Sequence, residues 1–88
     1  MLTPEEKEKI IGKFKSHDSD TGSTEIQVAL LTEEIKRLLL HLKKNPKDIF
    51  SKRGLLKMVT HRRRLLKYLK NQSTRSYNSL IKKLGIKK

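Results

Sequence analysis

Val28, Leu31, Ile35, Leu38 and Leu42 recur at spacings of three, four, three and four residues. That period sets all five on one side of an α-helix and does not fit the alternation of a strand. A helix with such a seam must bury it against a partner. Asn45-Pro46 stops the run, because proline disfavours helical geometry in the residue before it, so the helix spans about Thr24 to Lys44. Asp48 then caps a third helix reaching to about Asn71. Its Leu55, Met58, Val59, Leu65, Leu66 and Leu69 form one broad stripe. Two long helices joined by a short polar turn make an antiparallel hairpin.

Two shorter helices flank this pair. The first begins at Thr3-Pro4-Glu5-Glu6, with a capping hydroxyl, a proline at the first helical position and an acid three residues after the cap. Its apolar content is thin (Ile10, Ile11 and Phe14), so it is expected to dock less firmly than the rest. The fourth starts at Ser73 or Thr74, carries Tyr77, Leu80, Ile81 and Leu84 on one face, and ends at Gly85. The expected fold is all-α and a single domain over residues 1–88: an antiparallel bundle of three helices with a more loosely docked N-terminal helix. With no cysteine in 88 residues, neither disulfides nor thiolate metal sites are available. The absence of a long apolar run or signal segment points to a soluble protein of a reducing compartment.

Charge is the strongest functional signal. The chain carries +13 overall, and the charge is unevenly placed. Residues 1–34 hold 4 basic and 8 acidic side chains, whereas residues 35–88 hold 18 basic and 1 acidic, Asp48. A field this lopsided repels its own folded state unless a polyanion binds. Nucleic acid is the leading candidate, with an anionic membrane surface second.

Several polar side chains face away from the apolar stripes. On the third helix Lys57, Thr60, His61, Arg64, Lys67, Tyr68 and Asn71 lie opposite Leu55, Val59, Leu66 and Leu69. An exposed Tyr68 one turn after Arg64 reads as a stacking platform beside a phosphate ligand; the alternative is a tyrosine covered by the first helix. Tyr77 reads as core. Arg62 falls within the apolar arc and reads as structural, either snorkelling or paired with an acid. On the second helix Gln27, Glu34 and His41 share one face, and Gln27 and His41 are ~21 Å apart along the axis. The polar stretch Asp20-Thr21-Gly22 lies near one end of that face and Asp48 to Ser51 near the other. Asp48, Ser51 and His41 suit the amino and hydroxyl groups of an RNA minor groove. The alternative is that Asp48 only caps its helix while Ser51 and His41 are solvated.

The segments DTGSTEIQVALLT, His41-Leu42-Lys43, DIFSKRGLLKMV, HRRRLLKYL and LIKKLGI together resemble the bacterial small-subunit ribosomal protein S15 family, in order and without gaps. The resemblance implies a four-helix protein that binds the central domain of small-subunit ribosomal RNA early in assembly. It implies a three-way-junction surface at Thr21, Gly22, Gln27, Arg64 and Tyr68, and a minor-groove surface at His41, Asp48 and Ser51 that reads a G·U/G–C element. Gly22 would let the backbone approach RNA while Ser23 or Thr24 caps the helix. Lys52, Arg53, Lys57, Arg63 and Lys67 are assigned as supporting phosphate contacts. The implied partners are small-subunit rRNA, neighbouring ribosomal proteins and large-subunit rRNA at an intersubunit bridge. The implied location is the cytoplasm, in the ribosome; neither membrane binding nor self-association is expected. The chain departs from the family pattern at Glu34, usually arginine, at Asn45-Pro46 and Ile49-Phe50, usually rich in histidine and lysine, and at Asn71. Weaker electrostatic support around the minor-groove site is therefore expected, unless Lys36 or Arg37 compensates for Glu34.

Other classes fit less well. No catalytic constellation is visible, so no enzyme and no cofactor are expected. His17, Asp18 and Asp20 have metal-ligand chemistry but read better as a polar linker, so no metal is assigned. A DNA-binding helix-turn-helix would need a short recognition helix; here the basic helix is long and carries an exposed aromatic.

Overall fold

In a computed structural model, residues 2–14 and 20–86 are described, without the side chains of Phe14 and residues 20–23. They form four helices, α1 (Pro4–Phe14), α2 (Asp20–Lys44), α3 (Ile49–Gln72) and α4 (Thr74–Leu84). No strand occurs among the described residues, and none of their helices is long and apolar enough to cross a membrane.

Several boundaries have a local cause. The Thr3 hydroxyl accepts from the Glu6 backbone N–H at 3.2 Å and the Glu6 carboxylate accepts from the Thr3 N–H at 3.1 Å, which is the capping box read from the sequence. Between α2 and α3, Asn45 to Asp48 make a turn closed by the Asp48 N–H on the Asn45 carbonyl at 3.1 Å. Pro46 stands at the turn position where its fixed φ is favoured. Ser73 serves two helices: its N–H donates to the Leu69 carbonyl to close α3, and its hydroxyl accepts from the Ser76 N–H to open α4. Gly85, at φ 66, ends α4 in the left-handed region that favours glycine.

One expected boundary is corrected. α2 begins at Asp20, not near Thr24, so Thr21, Gly22 and Ser23 belong to its first turn and neither Ser23 nor Thr24 stands at the cap position. Thr24 and Glu25 are buried at 7% and 9% exposure, and one glycine in a helix costs only about 1 kcal/mol. α3 also runs to Gln72, one residue past the expected end.

α2 and α3 form the hairpin, with Leu38 beside Gly54 near the turn and Thr32 beside Arg62 farther along. α4 folds back onto both helices, and α1 packs on α2 alone. The core lies at the end of the hairpin away from the turn, where Val28 and Leu69 are fully buried with Ala29 and Leu80. Ile10, Leu65, Leu66 and Tyr77 pack against this cluster, so Tyr77 is a core ring as expected. A capped end ties α1 down: Glu6 forms an ion pair with Arg37 of α2. Arg62 reaches from α3 to the Thr32 hydroxyl at 3.2 Å, and that hydroxyl itself donates to the Val28 carbonyl at 2.8 Å. Its partner is thus a threonine rather than an acid.

Candidate nucleic-acid interface

The antiparallel hairpin sorts the candidate residues by end. The start of α2 and the last turns of α3 lie level, because Val28 and Leu69 share one core cluster. Gln27 is therefore brought to the same end as Tyr68 and Arg64, and the backbone of Thr21 and Gly22 forms the helix start at that end. His41, Asp48 and Ser51 gather at the opposite end, around the turn.

The turn end is a built cluster. Asp48 is the N-cap of α3, and its Oδ1 accepts from the Ser51 N–H at 3.0 Å. Its Oδ2 accepts from the Ser51 hydroxyl at 2.7 Å and lies 2.8 Å from His41 Nε2. A carboxylate only accepts, so Nε2 carries the shared proton and Nδ1 of a neutral imidazole is left as an acceptor. The His41 hydrogen bond first, then the Ser51 hydroxyl and backbone N–H, hold the Asp48 carboxyl at about 2, below its ordinary 3.8. The expected cap is real, and both other side chains join it rather than facing water alone. Asp48 is also the sole acid of residues 35–88. An anion kept charged within a cationic surface attracts hydrogen-bond donors and repels phosphates. Amino and hydroxyl groups in an RNA minor groove are donors of that kind.

Beside the cluster a cleft of about 260 Å³ is lined by Glu34, Arg37, Leu38, His41, Ser51 and Met58. Arg37 pairs with Glu6 and, at 3.8 Å, with Glu33. It therefore does not neutralise Glu34, which has no ion-pair partner among the described residues, and Lys36 is exposed without pairing to it. Ile49 and Phe50 are 59% and 82% exposed, so this departure from the family pattern adds apolar surface next to the cluster.

The other end is an exposed α3 face. Tyr68 is 44% exposed and is not covered by α1. Arg64 is exposed one turn before it, and Gln27 is exposed on α2. Lys52, Arg53, Lys57, Arg63 and Lys67 are all exposed as expected but do not form one surface. Lys57 lines a shallow groove with Arg64, Thr60 and His61. Arg63 and Lys67 line a different cleft, against α4. Sequence reasoning missed that cleft and the Arg62–Thr32 bond. The signal was a charged and a polar residue standing together on apolar arcs. No group of three or more metal-ligating side chains occurs among the described residues. His17, Asp18 and the Asp20 side chain lie outside them.

A basic helical hairpin with a polar cluster at one end and an exposed Arg–Tyr face at the other defines a class, the small all-α nucleic-acid-binding proteins. Comparison with known proteins narrows this. Residues 7–87 match the family model described as ribosomal protein S15. The chain is 54% identical over 87 residues to small ribosomal subunit protein uS15 of Thermotoga petrophila, covering 99% of this chain and 97% of the relative. It is 53% identical to the protein of that name from Desulforamulus reducens, covering 99% and 98%. The Trichormus variabilis protein of the same name is 51% identical over 86 residues, covering 98% and 97%. The chain belongs to the ribosomal protein S15 family, a structural ribosomal component rather than an enzyme family.

Proposed function

We propose that this chain is a structural constituent of the small ribosomal subunit that binds the central domain of its rRNA early in assembly. In this reading Thr21, Gly22, Gln27, Arg64 and Tyr68 recognise a three-way junction. His41, Asp48 and Ser51 grip the minor groove of an adjoining helix at a G·U/G–C element. Tyr68 stacks on a base or ribose and Arg64 takes a phosphate. Gly22, in the first turn of α2, leaves the backbone bare where RNA comes close. Lys52, Arg53, Lys57, Arg63 and Lys67 supply further phosphate contacts. The protein then lies in the cytoplasm, within the ribosome, beside neighbouring ribosomal proteins and near a bridge to large-subunit rRNA.

The observation that carries this reading is the Asp48 cluster. A lone carboxylate in an 18-cation half of the chain, locked by His41 and Ser51 and still partly exposed, suits amino and hydroxyl donors in a groove. The test is binding of the full chain to a minimal RNA carrying the junction and the adjoining helix. His41→Ala, Asp48→Ala and Ser51→Ala should each weaken binding, and moving the G·U/G–C element should weaken the wild type alike. Tyr68→Ala and the pair Thr21→Ala with Gln27→Ala should weaken it through the junction. Unchanged affinity in Asp48→Ala on the intact RNA would sink the minor-groove assignment. Unchanged affinity in the Thr21 and Gln27 double variant would sink that half of the junction assignment.

A further inference from the structure

Between α3 and α4 lies a cleft of about 370 Å³ that none of the proposed junction and minor-groove residues lines. Arg62, Arg63, Lys67 and Lys70 line it, over an apolar floor that includes Leu66, Tyr77 and Ile86. Local structure builds this floor. Gly85 turns the chain at φ 66, and the Ile86 N–H donates to the Ile81 carbonyl at 3.2 Å, which brings Ile86 back against the core cluster.

Its cations have no anion. Arg62 is half-buried and partly desolvated, and its single hydrogen bond goes to the neutral Thr32 hydroxyl. Arg63 and Lys67 have neither an ion pair nor a hydrogen bond among the described residues. Lys70 stands 5.5 Å from the centroid of the Tyr77 ring. The sole acid of residues 35–88, Asp48, is occupied at the turn end. Four cations gathered around one cleft, three of them exposed, make a local positive field that favours a bound anion.

The cleft also faces away from the proposed junction contact. Arg63 and Arg64 are consecutive on a helix, so their side chains diverge by about 100°. Arg63 lines the α4 cleft, whereas Arg64 lines the groove with Lys57, Thr60 and His61. An RNA held through Arg64 and Tyr68 does not fill the space beside Arg63 and Lys70. The volume is at the small end of ligand sites.

We infer that the α3–α4 cleft is a second RNA-backbone site, in which Arg62, Arg63, Lys67 and Lys70 hold a phosphate of a segment distinct from the one at Arg64 and Tyr68. One protein then clamps two RNA segments, on different flanks of α3. This rests on the RNA-binding reading above and adds a second segment to it.

The experiment uses full-length protein saturated with the minimal junction RNA, then titrated with a short fluorescent RNA duplex at two salt concentrations. Lys70→Glu and Lys70→Asp each reverse a charge inside the cleft, at a residue that none of the proposed junction, minor-groove or supporting phosphate contacts uses. Lys9→Glu makes the same change in net charge at an exposed position on α1. The duplex should bind the preformed complex without displacing the first RNA. Each cleft variant should weaken that second binding about tenfold and lower its log-affinity against log-salt slope by about 1. Lys9→Glu should change it less than about twofold, because Lys9 does not line the cleft and an exposed charge is screened by salt. Affinity for the first RNA should be the same in all of them. The inference is overturned if the duplex fails to bind or displaces the first RNA. It is equally overturned if Lys9→Glu matches the cleft variants, or if an acidic peptide binds the complex where the duplex does not. Loss of junction preference in the wild type would instead refute the earlier reading; the same variants titrated with duplex on free protein then still decide the cleft.

Discussion

Replacing Gly54 by alanine should stabilise this protein. Gly54 lies inside α3, and Gly85 is the sole described glycine with positive φ, so the backbone at 54 already suits an L-residue. A Cβ built there meets the Leu38 Cδ2 atom at 3.9 Å, an ordinary van der Waals contact, and no closer atom. Glycine inside a helix costs roughly 0.5–1 kcal/mol relative to alanine, mostly through the freedom it keeps in the unfolded chain. The gain should therefore be about 0.5–1 kcal/mol. For a domain of this size 1 kcal/mol moves Tm by about 4–8 °C, so a rise of roughly 2–8 °C is expected in thermal unfolding followed by circular dichroism. Gly85→Ala supplies the opposite sign, because φ 66 costs an L-residue about 1 kcal/mol. RNA affinity should not change in Gly54→Ala, since none of the proposed contacts uses that position. A lower Tm in Gly54→Ala would mean that α2 and α3 approach more closely at this crossing than 3.9 Å allows, and the reasoning would fail.

Three further outcomes follow from the same geometry. The Asp48 carboxyl titrates at about 2 in the fold against 3.8 ordinarily, so the stability it contributes is fully present above about pH 4 and is lost as pH falls toward 2; NMR titration should give a midpoint near 2, and His41→Ala should raise it. Leu69→Ala should cost about 2–5 kcal/mol in urea unfolding, because Leu69 is 0% exposed and packs with Val28, Ala29 and Leu80. Tyr68→Ala should change stability by less than about 0.5 kcal/mol, as its ring is 44% exposed, yet reduce junction-RNA affinity by roughly fivefold or more through lost stacking.

The legible parts of the fold are those written in neighbouring residues. The α2 seam, the Thr3–Glu6 box, the Pro46 stop, the Asp48 cap and the Gly85 terminus each depend on side chains within about one turn, and all stand in the structure. The exposed Tyr68 and the core Tyr77 followed from helical period alone. What was not legible depends on pairs far apart in sequence. The start of α2 at Asp20 precedes the capping residues that local preference favours, and Thr24 and Glu25 are buried inside the helix. Glu6 with Arg37 and Arg62 with Thr32 are each joined across two helices, and the sequence gives no register for them. The α3–α4 cleft likewise appears only once Gly85 has turned Ile86 back toward α3.

The same division applies to the candidate site. His41, Asp48 and Ser51 were individually recognisable, but their shared hydrogen bonds come from the short turn that returns α3 alongside α2. The Glu34 departure was also visible, whereas the commitment of Arg37 to Glu6 was not. That commitment leaves the groove beside His41 with an uncompensated acid.

The central claim, specific recognition of folded RNA rather than general attraction to polyanions, is tested most directly by binding to an RNA three-way junction and to duplex DNA of equal length at two salt concentrations. Both affinities should fall with salt because both ligands engage phosphate-binding cations. The account predicts that the junction keeps a large advantage at the higher salt, and that Asp48→Ala or Tyr68→Ala reduces it. Equal binding of the two ligands, collapsing together as salt rises, would contradict it.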